Sequence, residues 1–273
     1  MTRESIKIDP ELGICLAGAG GLAYLHIGLF EALEELHLRP GVVAGTSSGA
    51  VLGAFYASGM TSKEIRTLLR GFNWTSVMTP TIPTRGLMST RRLEHFLVKV
   101  LGNVNIEDLP IKLKVAAVDL HSGELAGFTE GPLARHVAAS CAVPGMFNPV
   151  MVNDRTYYDA GGIYNLPLEL MSGENLKAII AGNTIGRAGL QKNPKTLQEI
   201  YYQAYLIRSM RLTIWRAEVF GWEGRNNEQL CFIDYPTHGK NPTKLDDMKV
   251  VIHNVKKLAV SQIRKDLKAW IRK

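Results

Sequence analysis

Val42-Val43-Ala44-Gly45-Thr46-Ser47-Ser48-Gly49-Ala50 is the stretch on which the fold turns, because an apolar strand hands over here to a helix across five small residues. In a G-x-S-x-G elbow the serine sits in a tight, strained strand-to-helix turn. The flanking glycines are required because a Cβ at either place would strike neighbouring backbone. The turn lifts the hydroxyl clear of the sheet, and the helix N-terminus beneath it favours developing negative charge. Ser47 is therefore a candidate nucleophile. The pentapeptide alone also fits an ordinary capped helix start.

Working outward, Gly41 to Met60 contains no charged residue and is long enough for a hydropathy window to flag as a membrane span. Its Gly, Ser and Thr content and the embedded elbow instead indicate a strand and helix buried in an α/β core. Upstream, Ile14 to Ala17 predicts a strand, a glycine loop and a helix through Leu36. Downstream, helices are expected from Thr61 towards Trp74 and from Thr90 to Leu101, with Thr61 and Thr90 as N-caps and Thr79 to Ser89 as a loop between them. Leu113 to Asp119 predicts a buried strand returning through a turn at His121 to Glu124 into Leu125 to Thr129. A helix then starts at Pro132 and stops before Pro144. Ala178 to Ala181 and Leu230 to Ile233 predict further strands, and Leu197 to Gly221 a long helix with apolar and aromatic residues on more than one face. This alternation is that of a layered α/β fold.

The chain has 273 residues, 46% of them apolar, enough for a substantial core, and no linker or repeat divides it. Met1 to Asp9 is polar and charged, without the apolar region of a secretory signal, so the mature protein is expected to begin there. Cys15, Cys141 and Cys231 are widely spaced, with no C-x-x-C and no clustered histidine, and read as reduced core thiols of a cytoplasmic protein. The net charge is +7, and His253 to Lys273 alone contributes +6 of it. In that tail Val255, Ala259, Ile263, Leu267, Trp270 and Ile271 recur at helical spacing. It reads as a basic amphipathic helix, either docked on the domain with a solvated lysine face or lying on an anionic membrane surface. Nucleic-acid binding is not expected, since no recognised module accompanies the charge.

Gly18-Ala19-Gly20-Gly21-Leu22-Ala23 follows the first strand and opens a helix, so it fits the dinucleotide pattern G-x-G-x-x-G/A. That use needs an acidic residue at the end of the next strand, where this chain has the uncharged elbow. The other use of such a loop is as an oxyanion hole, with unobstructed N–H groups aimed at a tetrahedral intermediate. The serine also needs a base. A histidine late in the chain, such as His238, or a carboxylate held directly beside the serine would serve. Asp159, in Tyr157-Tyr158-Asp159-Ala160-Gly161-Gly162, is the best-placed carboxylate, though a turn aspartate bonding its own backbone would look the same.

Taken together and in order, these motifs resemble the patatin-like phospholipases over about Ile14 to Leu170. The glycine loop continues into Tyr24-Leu25-His26-Ile27-Gly28, and the elbow follows. Ala117-Val118-Asp119-Leu120 with Gly123-Glu124 resembles the family's D-L-x-x-G-E turn. Ser140 to Pro149 resembles its S-x-A-x-P-x-x-F-x-P segment, and Asp159 with Asn165 and Pro167 has the spacing of its D-G-G-x-x-x-N-x-P motif.

The resemblance implies a three-layer α/β/α fold with a mixed central sheet, of the patatin-like FabD/lysophospholipase-like type. The core would span 14–172 after an N-terminal segment 1–13, with 173–273 completing the same domain. It implies a Ser-Asp dyad of Ser47 as nucleophile and Asp159 as base, with oxyanion donors among Gly18, Ala19, Gly20 and Gly21. His26 would be structural, and Ser140 and Pro144 would shape the acyl pocket. No cofactor and no metal is implied, and hydrolysis is expected to be calcium-independent, with membrane phospholipid or lysophospholipid as substrate. The chain departs from the family pattern at two places. Leu22 stands where the family usually carries Arg or Lys, with Ala23 in place of glycine, and Ala160 stands beside the base. Three other readings compete: a triad of Ser47, Asp159 and His238, an acyltransferase using the same acyl-enzyme, and a weakly active membrane-binding module driven by the basic tail.

Overall fold

Residues 7–82, 85–185, 193–223, 229–237 and 248–268 are described by the computed structural model. In chain order, β1 (Asp9–Leu16) leads through a 3-10 turn (Gly20–Leu25) into α1 (His26–Glu35), and β2 (Pro40–Thr46) into α2 (Ser48–Ala57). Then come α3 (Ser62–Leu69), the two-residue strands β3 (Thr79–Pro80) and β4 (Met88–Ser89), and α4 (Arg91–Leu101). β5 (Lys112–Asp119) and β6 (Leu125–Phe128) precede α5 (Leu133–Ser140), and β7 (Val150–Val152) and β8 (Arg155–Asp159) follow it. The chain continues through β9 (Ala178–Asn183), α6 (Leu197–Glu223), β10 (Gln229–Asp234) and α7 (Lys249–Asp266).

Eight strands form one sheet in the order β10-β9-β1-β2-β5-β8-β7, with β6 also paired to β5. β10, β9, β1, β2 and β5 run parallel, whereas β8, β7 and β6 pair antiparallel, so the sheet is mixed. The parallel centre reads as continuous apolar runs because both of its faces are covered. Along β1, Leu12, Ile14 and Leu16 enter the core shared with α1, α2 and α7, while Cys15 packs on the opposite face with Leu166, Leu168 and Ala217 of α6. The result is the three-layer α/β arrangement.

Gly41 to Met60 is divided between β2 and the wholly buried helix α2, and among the described residues no helix is long and apolar enough to cross a membrane. Thr61 caps α3 through a capping box, its hydroxyl accepting from Glu64 N at 3.2 Å while Glu64 accepts from Thr61 N at 2.8 Å. Thr90 makes no side-chain cap to α4; Ser89 Oγ accepts the Arg91 N–H instead, and Thr90 lines the cavity described below. The hairpin β7–β8 was not anticipated, although its turn, Asn153-Asp154, has both residues at positive φ (47° and 61°), as a two-residue hairpin loop demands.

The basic terminal helix is docked. Val251, Ile252, Val255, Ala259 and Ile263 of α7 are buried against α1 and β10. Gly28 permits the crossing, because a Cβ there would meet the Ile252 carbonyl and stand 3.1 Å from Lys256 N. Burying Ile252, Val255 and Ile263 stabilises the fold by about 1.5–3 kcal/mol each. Peeling α7 away to insert its apolar face in a membrane would forfeit an amount comparable to the whole stability of a typical domain. Trp270 and the last charged residues lie outside the described residues.

Candidate active site

The parallel register brings the glycine loop and the elbow together. β1 and β2 are neighbours, Leu16 pairing with Gly45, so both loops leave the same carboxyl edge of the sheet. A ligand crevice belongs there in an open α/β sheet. Asp159 arrives from the antiparallel side. Thr46 pairs with Ala116 of β5, and the next residue, Ala117, pairs with Asp159 at the end of β8. Asp159 thus lies across β5 from the elbow and at its level.

Ser47 has φ 54° and ψ −128° and is the N-cap of α2. A non-glycine residue held there stores about 1–3 kcal/mol of backbone strain. The surroundings over-determine it. The Ser47 N–H donates to Ser140 Oγ at 2.7 Å, and Ser140 in turn donates to the Ala116 carbonyl at 2.6 Å. Thr46 Oγ1 donates to the Tyr164 carbonyl at 2.8 Å. Gly49 lies so close to β1 that a Cβ would meet the Leu16 carbonyl and stand 2.7 Å from that of Ala17. Ser140 is therefore a buried strut of the elbow. This corrects the expectation that it shapes the acyl pocket, whose wall is formed by its neighbours Cys141, Val143, Met146 and Phe147.

The Ser47 side chain lies beside the Asp159 carboxyl, which is 1% exposed and accepts the Gly161 N–H at 2.7 Å. Burial raises the Asp159 pKa to about 7, and Ser47 and Gly161 lower it only in part. Desolvation thus outweighs the hydrogen bonding that would otherwise hold this carboxyl low. Ala160, which departs from the family pattern, is not among the residues at positive φ and packs with Ala116 and Val118. Cys141 is buried beside Asp159, and burial and that carboxyl push its thiol well up, so it remains protonated.

The glycine loop is fastened from three sides. The Gly18 carbonyl accepts from Asn165 Nδ2 at 3.3 Å and from the Thr184 hydroxyl, while the Gly18 N–H donates to the Asn165 carbonyl at 3.4 Å. The Ala19 N–H donates to Ser48 Oγ at 3.1 Å. Gly20 and Gly21 open the 3-10 turn and line the cavity beside Ser47. N–H groups at the start of such a turn have no partner within it. His26 is fully buried between the Ala17 carbonyl (2.9 Å) and the Tyr235 hydroxyl (3.0 Å), and burial lowers its pKa to about 4. It is a neutral structural residue, as expected. His238 lies outside the described residues.

From Ser47 opens a cavity of about 210 Å3, with Trp74, Val77, Leu93, Val143 and Phe147 supplying apolar wall and Tyr202 of α6 one flank. Nucleophile, buried carboxyl, open amides and an apolar slot are the parts of a serine acyl-transfer site.

The patatin-like phospholipase family profile matches residues 14–172, and the chain belongs to that family. An uncharacterised NTE family protein of Mycobacterium tuberculosis is 32% identical over 181 residues, covering 63% of this chain and 49% of the relative. The lysophospholipase NTE1 of Candida albicans is 26% identical over 187 residues, covering 66% of this chain and 14% of its own length. The chain thus spans about half or less of the length of these curated relatives. Among solved structures, VipD from Legionella pneumophila has the same fold, with a TM-score of 0.56 at 14% identity, over 93% of this chain and 66% of that one.

Proposed function

We propose that the protein is a serine lipid acyl hydrolase that cleaves phospholipid or lysophospholipid esters through a Ser47–Asp159 dyad. The observation that carries this reading is the placing of the strained elbow serine beside a fully buried carboxyl, at the end of an apolar cavity. Family membership and the likeness to the Candida albicans lysophospholipase support the substrate class.

In the proposed reaction, ionised Asp159 accepts the Ser47 proton as Ser47 Oγ attacks the ester carbonyl. The N–H groups of Gly20 and Gly21 hold the oxyanion, since those of Gly18 and Ala19 are engaged by Asn165 and Ser48. Collapse expels the alcohol, which takes the proton from Asp159. Water then gives a proton to Asp159 as its oxygen attacks the acyl-enzyme, and release of the fatty acid restores the proton to Ser47. Every proton acceptor and anion donor in this scheme comes from the chain, so fatty-acid release is expected to persist in EDTA. The scheme places the enzyme at a membrane surface while it turns over lipid.

The test is hydrolysis of a p-nitrophenyl acyl ester, and of mixed phospholipids with products identified by mass spectrometry, by the wild type and Ser47→Ala. Ser47→Ala is expected to abolish both activities; full retention of either would sink the assignment.

A further inference from the structure

We propose that the outer face of α6 is the surface by which this protein docks on an anionic phospholipid bilayer. The inference rests on the hydrolase reading and adds to it where the substrate comes from. Ile200, Tyr201, Ile207, Ile214 and Trp215 recur along one side of α6 and are exposed, Ile200 by 51%, Tyr201 by 57% and Trp215 by 55%. The row runs for about 22 Å at 1.5 Å per residue. A row of exposed apolar side chains of this length, interspersed with the exposed Arg208 and Arg211, on a chain that already buries a large core marks a contact. The opposite side of the same helix, with Ala217 and Met210 buried, is what holds it to the sheet.

Its position selects the occupant. The row begins beside the cavity: Tyr202 lines the cavity wall, and Tyr201 lies 3.6 Å from where a Cβ on Gly145 would stand. Next to the same 143–147 wall, Leu87 is exposed and its N–H donates to the Met146 carbonyl at 3.0 Å. Exposed apolar side chains therefore stand beside the cavity wall. A second copy of the chain seated there would cover the cavity, whereas a lipid surface covers the same side chains and delivers an ester.

The charges agree with an anionic surface. Arg211 is exposed on the outer face of α6, and Arg91 and Arg92 are exposed directly after Thr90, a cavity residue. The exposed acid on that side of α6 is Glu218, near the far end of the row. Arg208 is also exposed on this face, while its Nε donates to the Gly162 carbonyl at 3.2 Å and its guanidinium lies over the Tyr205 ring. Aromatic residues at both ends of an apolar row, edged by arginine, form the pattern of a helix lying in a bilayer interface. The face is distinct from α7, whose apolar side is already buried.

The experiment measures co-sedimentation of full-length Ser47→Ala protein with phosphatidylcholine vesicles, with and without phosphatidylglycerol, so that no lipid is consumed. Binding to the phosphatidylglycerol vesicles is expected. Adding Ile207→Glu, Ile214→Glu and Trp215→Glu should reduce partitioning at least ~10-fold, while Lys257→Glu with Lys265→Glu on α7 should leave most of it. The α6 substitutions in a chain with Ser47 intact are expected to keep turnover of a soluble short-chain ester, which reports an intact fold. Absence of vesicle binding, binding unchanged by the α6 substitutions, or binding lost only with the α7 substitutions would overturn the proposal. So would a dimer, seen by light scattering, that the α6 substitutions dissociate. A wild type that binds vesicles yet cleaves no ester would overturn the hydrolase reading and leave the docking result standing.

Discussion

Asp159→Asn should make the protein more stable and nearly inert, and both effects have one origin. The rise of the Asp159 pKa from 3.8 to about 7 corresponds to about 4 kcal/mol, at 1.36 kcal/mol per pH unit. Because the folded pKa is the higher one, the folded state holds the extra proton between pH 3.8 and pH 7. The contribution is fully favourable below the unfolded pKa and is lost as the pH rises to 7. Asparagine carries no charge to desolvate and can still accept from Gly161 N. At pH 8 the variant is expected to exceed the wild type by about 2–4 kcal/mol, or roughly 10 °C in Tm for a chain of this size. The difference should vanish near pH 4. Wild-type kcat/KM on a soluble ester should fall about tenfold per pH unit below 7, and the variant should lose at least ~10^3 of it at pH 8. Urea titrations and thermal melts of both proteins from pH 4 to 8, beside pH–rate profiles, decide the matter. A stability difference independent of pH, or a wild-type profile half-maximal near pH 4, would refute the burial argument.

Three further outcomes are expected. Ser140→Ala leaves the buried Ser47 N–H without its acceptor, and is expected to cost about 1–3 kcal/mol in urea denaturation and to lower kcat about 10- to 100-fold; an unchanged kcat would show that the elbow needs no strut. A 150 Å3 cavity holds benzene, so one of about 210 Å3 holds roughly eight acyl carbons. Activity on p-nitrophenyl esters should therefore peak near C8, and Leu93→Phe should move the optimum about two carbons shorter; an optimum that ignores Leu93→Phe would place the acyl chain elsewhere. His238→Ala should keep kcat/KM within about threefold, whereas a loss of several orders of magnitude would restore the triad.

What was legible in the sequence was what local chemistry encodes. A strand that ends in G-x-S-x-G must turn sharply, and an aspartate followed by two small residues and a spaced asparagine has little reason to be so placed unless backbone packs tightly around it. The structure brings Ser47, Asp159 and the Gly18–Gly21 loop to one place through the pairing of β1 with β2 and of β5 with β2 and β8. The missing parts were those that depend on partners far apart in the chain. No local pattern says that Ser140 reaches an amide 93 positions away, or that Thr184 holds Gly18 from 166 positions away. The same distance hid which loop amides were engaged, because their acceptors are Asn165 and Ser48. The raised Asp159 pKa is illegible in the sequence for a related reason, since the depth of burial follows from the assembly of the sheet rather than from its neighbours in sequence. The Asn153-Asp154 hairpin turn, by contrast, carried a signal that the reading passed over.

The contact between His26 and Tyr235 bears on when in its life the protein can act. His26 begins the helix behind the glycine loop, yet its Nδ1 partner is delivered by the segment after β10, and Gly28 beside it is met by α7. Thr184, which grips Gly18, follows β9. As the chain emerges from a ribosome, both dyad residues are available long before these clamps are. The glycine loop acquires its final shape only when the C-terminal residues up to α7 have been added. A chain that stops short of α7 therefore carries Ser47 and Asp159 without the contacts that fully brace the glycine loop.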